Sequence, residues 1–194
     1  MDTTGSGIGE QVAGALVKRL RDGSDYLAVN PKGQVPTLRL PDGGYLTEGP
    51  VILQYLADMR PEGGLLAPAT TLERYRVLEW LNFVSSELHK GFTPLFRRTT
   101  PDEYRAIARQ TLHGRLQWLN DQLADRDYLA GGRFTVADAY CYTIVMWTGL
   151  HAIDLGPWPH LKAYLARIGA QPSVVAAEAA ERQEVERQGQ GRRG

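Results

Sequence analysis

Hydrophobic positions along the chain change period more than once, and the changes divide it. Val12, Leu16, Val17 and Leu20 recur at helical spacing, with Lys18, Arg19 and Arg21 late in the run and Gly23 after it. This predicts a helix within Glu10–Arg21, most clearly over Ala15–Arg21. Asn30-Pro31-Lys32-Gly33 is a turn signal. Thr37–Leu40 and Tyr45–Leu46 flank Pro41-Asp42-Gly43-Gly44 and predict a β-hairpin. The period then lengthens. Val51, Ile52, Tyr55, Leu56 and Met59 mark one helix face, with Gly49 at the N-cap and Pro50 in the first turn, where a missing N–H costs nothing. Pro61, Gly63 and Gly64 close this unit, and Leu65–Pro68 reads as a linker.

Everything after Thr70 predicts helix. Thr70-Thr71-Leu72-Glu73 has the form of a capping box with Thr70 as N-cap, opening a helix that carries Leu72, Tyr75, Leu78, Leu81 and Leu88. Thr100-Pro101-Asp102-Glu103 has the same form and opens a helix to about Leu123. Thr135-Val136-Ala137-Asp138 is an aspartate-ended version. The helix that follows, through Trp147, is apolar almost all round and belongs at the centre of its domain. Pro159 and Pro172 open two more helices. Gln183–Gly194 is polar, charged and glycine-rich and reads as a frayed tail.

Strands followed by helices, rather than alternating with them, favour two domains. The expected fold class is α/β followed by all-α. Residues 1–64 form an incomplete thioredoxin-like domain, 70–182 an all-helical domain and 183–194 a polar tail.

Composition narrows the function. The 194 residues carry 22 Lys plus Arg and 22 Asp plus Glu, so net charge offers no attraction for nucleic acid or an anionic membrane. The longest apolar stretch, Ala139–Leu150, is too short to span a bilayer. The first ten residues lack the basic and apolar regions of a secretory signal. A single cysteine, Cys141, precludes an intrachain disulfide and fits a reducing, cytoplasmic setting. Set in the most apolar helix, it reads as a small buried hydrophobe rather than a nucleophile. Trp80, Trp118, Trp147 and Tyr140 read as core.

Three runs carry a resemblance. Asn30-Pro31-Lys32-Gly33-Gln34-Val35-Pro36 with Leu46-Thr47-Glu48-Gly49, then Glu79–Asn82 with Glu87–Phe92, then Phe134–Tyr140, keep order and spacing from about Lys18 to about Val175. Together they resemble the glutathione transferase superfamily, nearest its bacterial beta class. The resemblance implies glutathione as substrate, no metal, a hydrophobic electrophile as second substrate and a homodimer. It implies that Pro36 is cis and that the backbone of Val35 pairs with that of glutathione; alone, the proline reads as a trans residue opening an edge strand. It implies that Glu48 and Gly49, beside a helix N-terminus with free N–H groups, hold the γ-glutamyl end; alone, Glu48 reads as a complement to the helix dipole. Lys18 matches a lysine that reaches the glycyl end. Asn82 and His89, with Ser85 or Ser86 between them, form a polar stripe that matches the cleft-facing side of the family's first long helix, which places His89 near the sulfur. The family puts the second substrate between the small domain and that helix.

In one respect the chain departs from the family. About a dozen residues precede the matching region, too few for the opening strand, helix and strand, and no cysteine stands at a helix start. The expectations are therefore a transferase, a non-catalytic relative that binds or assembles, or a shortened form of an active enzyme. A thiol–disulfide oxidoreductase is disfavoured, because Cys141 lies in the helical domain.

Overall fold

A computed structural model describes residues 19, 20 and 22–191 of the protein, the side chains of 188–191 excepted. The chain separates into two compact units, one ending at Met59 and one beginning at Arg60.

In the first unit, the expected helix over Ala15–Arg21 lies largely outside the described residues, and where it can be compared the structure differs. Arg19 pairs with Asp25 in an isolated antiparallel bridge. The reason is local. Gly23 adopts φ 85°, its N–H donates to the Leu20 carbonyl, and Asp22 accepts from the Ser24 amide and hydroxyl at 2.9 and 2.6 Å. Short side-chain acceptors and a left-handed glycine make a reversal out of a segment whose apolar spacing alone suggests helix.

A 3-10 turn follows at Tyr26–Ala28, capped by Asp25, which accepts from the Leu27 amide. Buried Tyr26 donates its hydroxyl to the Gln34 carbonyl at 2.6 Å, and buried Asn30 donates Nδ2 to the same carbonyl at 2.7 Å. These two bonds pin the loop just before Val35. The hairpin forms as expected, from β1 (Thr37–Arg39) and β2 (Tyr45–Thr47), antiparallel with Leu38 opposite Leu46. Asp42 accepts from the Gly44 amide, and Gly43 sits at φ 87°. Helix α1 (Gly49–Asp58) contacts both strands and buries Ile52 and Ala57. Val51 and Met59, expected on the buried face, are exposed. The N-cap is Glu48 rather than Gly49.

The second unit is helical. Its first helix α2 (Leu72–Phe83) is capped by Thr71, whose hydroxyl accepts from the Arg74 amide; Thr70 stands at φ 67° and donates to the Ala69 carbonyl. The expected cap is thus displaced by one residue. A six-residue π-helical segment, Val84–His89, then runs directly into α3 (Lys90–Phe96), which contains Pro94. The second expected capping box does not form. Pro101 is the N-cap of α4 (Asp102–Gln122), and the Arg105 guanidinium donates to the carbonyls of Leu95, Arg97 and Thr100, tying the end of α3 to the start of α4.

The third box forms in full. Thr135 caps α5 (Val136–Val145), and Asp138 reaches back to the Thr135 amide at 2.9 Å. Ala137, Cys141 and Val145 are fully buried, so α5 is the expected centre, packed by α2 on one side and α7 (Pro159–Gly169) on another. A four-residue helix α6 (Trp147–Leu150) follows α5. Helix α8 (Pro172–Gly191) runs into the stretch expected to fray, as far as Gly191. Its helix-favouring residues there are Glu, Gln and Arg, and Arg187 pairs with Glu184 one turn away, as Arg182 does with Glu178 just before it.

Candidate functional site

The sequence-derived site residues fall in both units. In the first, the Val35–Pro36 peptide is cis, as the resemblance implies. Glu48, one residue before α1, adopts φ 70° and its carbonyl accepts from the amides of Val51 and Ile52. The N–H of Gly49 opens the helix, where no earlier turn can satisfy it, and Pro50 has none to offer. The carboxylate of Glu48 is bridged by Lys32 Nζ at 2.5 Å, and Lys32 also donates to Thr47 Oγ1 at 2.9 Å. Lys32 was legible only as part of a turn; what brings it here is the hairpin, which returns Thr47 and Glu48 to the Asn30–Gly33 loop. Lys18 lies outside the described residues.

In the helical unit, the polar stripe is reshaped by the π-segment. Asn82 is exposed, and Ser86 donates its hydroxyl to the Asn82 carbonyl at 3.0 Å, so that hydroxyl is engaged within the helix. Leu88 is fully buried and His89 half-buried, as the spacing suggests. The imidazole of His89 is held on two sides: Nδ1 lies 2.7 Å from the Tyr140 hydroxyl, and the ring meets Trp147 edge-on with centroids 4.9 Å apart. Burial, with Lys90 adding a smaller like-charge effect, holds the His89 pKa below its ordinary 6.5. Near it, Phe92 and Phe96 pack on the His151 ring, whose Nε2 is buried without a partner.

Two aromatic assignments need correction. Trp80 is core, at 7% exposure, but Trp118 is 42% exposed. Trp80, Phe83 and Trp118 pack against one another, Trp80 edge-on to Phe83 and Trp118 tilted against both, and line an open cavity of about 500 Å³ with Arg76 and Glu79. Trp118 stands off the stripe of Ala108, Leu112, Leu116 and Leu119 that α4 buries, so helical spacing sets it apart from the core positions. Tyr140 is half-buried and bonded to His89 rather than simply packed. Cys141 is fully buried, and burial followed by the Asp138 charge raises its thiol pKa far above the usual range, so it is no nucleophile. Among the described residues no cluster of His, Cys, Asp or Glu could hold a metal ion, and no helix is long and apolar enough to cross a membrane.

Comparison with known proteins decides the family. The model of the glutathione S-transferase N-terminal domain matches residues 13–59, and that of the C-terminal domain matches residues 83–172. The chain is 49% identical over 166 residues to glutathione S-transferase GstA of Escherichia coli O157:H7, covering 86% of this chain and 83% of that protein. The chain belongs to the glutathione S-transferase superfamily. Among solved structures of that superfamily it is similar to the bacterial beta-class glutathione S-transferase of Sphingomonas chungbukensis (42% identity, TM-score 0.82, covering 85% of this chain and 82% of that one). It is equally similar to a sphingomonad glutathione S-transferase complexed with glutathione (44% identity, TM-score 0.82, the same coverage). The expectation of a missing start to the transferase's small domain concerns residues outside those described.

Proposed function

We propose that the protein binds glutathione and conjugates it, through its sulfur, to a hydrophobic electrophile. In this reading residues 1–64 are the glutathione-binding domain and 70–182 the helical domain. The backbone of Val35, next to Pro36, pairs with the peptide backbone of glutathione. The carboxylate of Glu48 takes the γ-glutamyl ammonium, the Gly49 N–H its carboxylate, and Lys18 the glycyl end. His89 and Asn82 act near the sulfur. The thiolate forms a bond to carbon, and the leaving group departs with its electron pair. A free thiol titrates near ~8.5, so the protein's share of the work is to favour the thiolate at neutral pH. We place the protein in the cytoplasm, as a homodimer.

The observation that carries this reading is the pairing at the start of α1: an acid beside an open helix N-terminus, its carboxylate held by Lys32 while the side chain stays 60% exposed and within reach of a ligand. The names of the relatives agree with it. A second reading, binding without turnover, is favoured by the single cysteine being buried in α5.

Calorimetric titration with reduced glutathione tests both. Binding is expected, and Glu48→Gln is expected to weaken it by about fivefold to thirtyfold, the effect of one partly exposed charged hydrogen bond. Equal affinity in the variant overturns the role of Glu48. Turnover of a halogenated nitroaromatic, reduced in His89→Ala, separates the transferase from the binding protein.

A further inference from the structure

His89 is the group our functional reading places at the glutathione sulfur, and a neutral histidine can serve there in two opposite ways. With its proton on Nδ1, Nε2 is a base that accepts the thiol proton. With its proton on Nε2, the ring is a donor that stabilises a thiolate already formed. Which form is present depends on what the other nitrogen bonds to.

Here that partner is Tyr140, whose hydroxyl lies 2.7 Å from Nδ1. Two arrangements share this distance, but they are not equal in strength. A phenol is a far stronger acid than a neutral imidazole N–H, and an imidazole nitrogen is a far stronger base than a phenol oxygen. The phenol therefore donates and Nδ1 accepts. The opposite edge of the ring differs in kind. Among the described residues Nε2 makes no hydrogen bond, and the ring as a whole is half-buried rather than sealed. Trp147, at 85° to the ring, fixes the plane in which Nε2 projects.

We propose that Tyr140 is a positioning residue: its hydroxyl donates to Nδ1 of His89 and locks the imidazole with its proton on Nε2, which makes His89 a hydrogen-bond donor to the glutathione thiolate and not the base that removes the thiol proton. That proton then leaves to water, and Nε2–H donates to the sulfur that remains. The dependence of tautomer on Tyr140 stands on the helical unit alone; the role at sulfur rests on the functional reading above.

The test is long-range proton–nitrogen correlation NMR of the full chain labelled at histidine, with His89 assigned by the loss of its signals in His89→Gln. At neutral pH the wild type is expected to show an unprotonated Nδ1 and a protonated Nε2. Tyr140→Phe is expected to give a mixture of tautomers. In the same variant the ionisation constant of bound glutathione, read from thiolate absorbance, is expected to fall about threefold to tenfold, the effect of one neutral hydrogen bond. A wild-type spectrum with the proton on Nδ1 overturns the proposal without any variant. So does a Tyr140→Phe spectrum identical to the wild type. A tautomer that obeys Tyr140, with a glutathione ionisation indifferent to both Tyr140→Phe and His89→Gln, overturns the sulfur role alone and leaves Tyr140 as the group that sets the ring.

Discussion

Removing the carboxylate of Asp138 should cost the protein a large part of its stability. The side chain is fully buried at the first turn of α5 and accepts from four donors: the Leu129 amide (2.9 Å), the Thr135 amide (2.9 Å), the Thr135 hydroxyl (3.0 Å) and the Tyr164 hydroxyl (3.1 Å). In Asp138→Ala the two amides are left buried without an acceptor, at about 1–3 kcal/mol each. The hydroxyls can rotate to other partners and lose less. Against this stands the relief of burying a charge, the same desolvation that raises the Asp138 pKa above its ordinary value. The net expectation is a loss of about 3–5 kcal/mol, in line with breaking other buried charged networks. Asp138→Asn keeps one acceptor oxygen but turns an NH2 toward a donor, so about half that loss is expected. Urea unfolding followed by circular dichroism measures both, provided the slope is unchanged. For a chain of this size the alanine loss corresponds to a melting temperature lower by roughly 6–20 °C. A loss under about 1 kcal/mol in Asp138→Ala would refute the reasoning, because the corner would then be held by apolar packing.

Two further expectations concern titration and reactivity. His89 and His151 both have pKa values held below 6.5, chiefly by burial, with Lys90 adding to the first and Arg109 and Arg105 to the second. A depressed folded pKa means that stability is fully present above 6.5 and is lost as pH falls through the folded values; His151→Leu should flatten that acid limb, and an unchanged slope would contradict the assignment. Cys141 should resist thiol reagents in native protein and react only as fast as the protein unfolds; rapid labelling under native conditions would show that α5 is not the sealed centre described.

The sequence is most legible where local chemistry and burial agree. The hairpin has turn residues with only one use, and the Thr135–Asp138 box sits where both its partners are buried, so pattern and structure coincide there. The box at Thr70 matches in form but not in place, because Thr70 takes a left-handed φ and Thr71 inherits the cap. The box at Thr100 fails because the helix begins one residue later, with Pro101 at the N-cap, and proline has no side-chain acceptor for the free amides of the first turn. Of the candidate site, Glu48 and His89 were visible as residues, but their partners Lys32 and Tyr140 were not. Lys32 is 16 positions from Glu48, and Tyr140 is 51 from His89. Apolar period cannot report a pairing between distant side chains, and a tyrosine in an apolar helix has the same signature whether its hydroxyl is idle or bonded.

The π-segment at Val84–His89 has a consequence for how the chain can change length. A π-turn holds an extra residue compared with the α-turn it replaces, so it can give up that residue while the helix on either side keeps its facing. Deleting one residue there should restore ordinary helix and leave Lys90–Phe96 facing nearly as it does now, whereas a deletion within Leu72–Phe83 would rotate one side of the cut against the other by about 100°. Phe92 and Leu95, now buried in contact between α3 and α4, would be displaced by the second deletion and not by the first. The π-segment is thus a place where this helix can change length without changing which residues it buries.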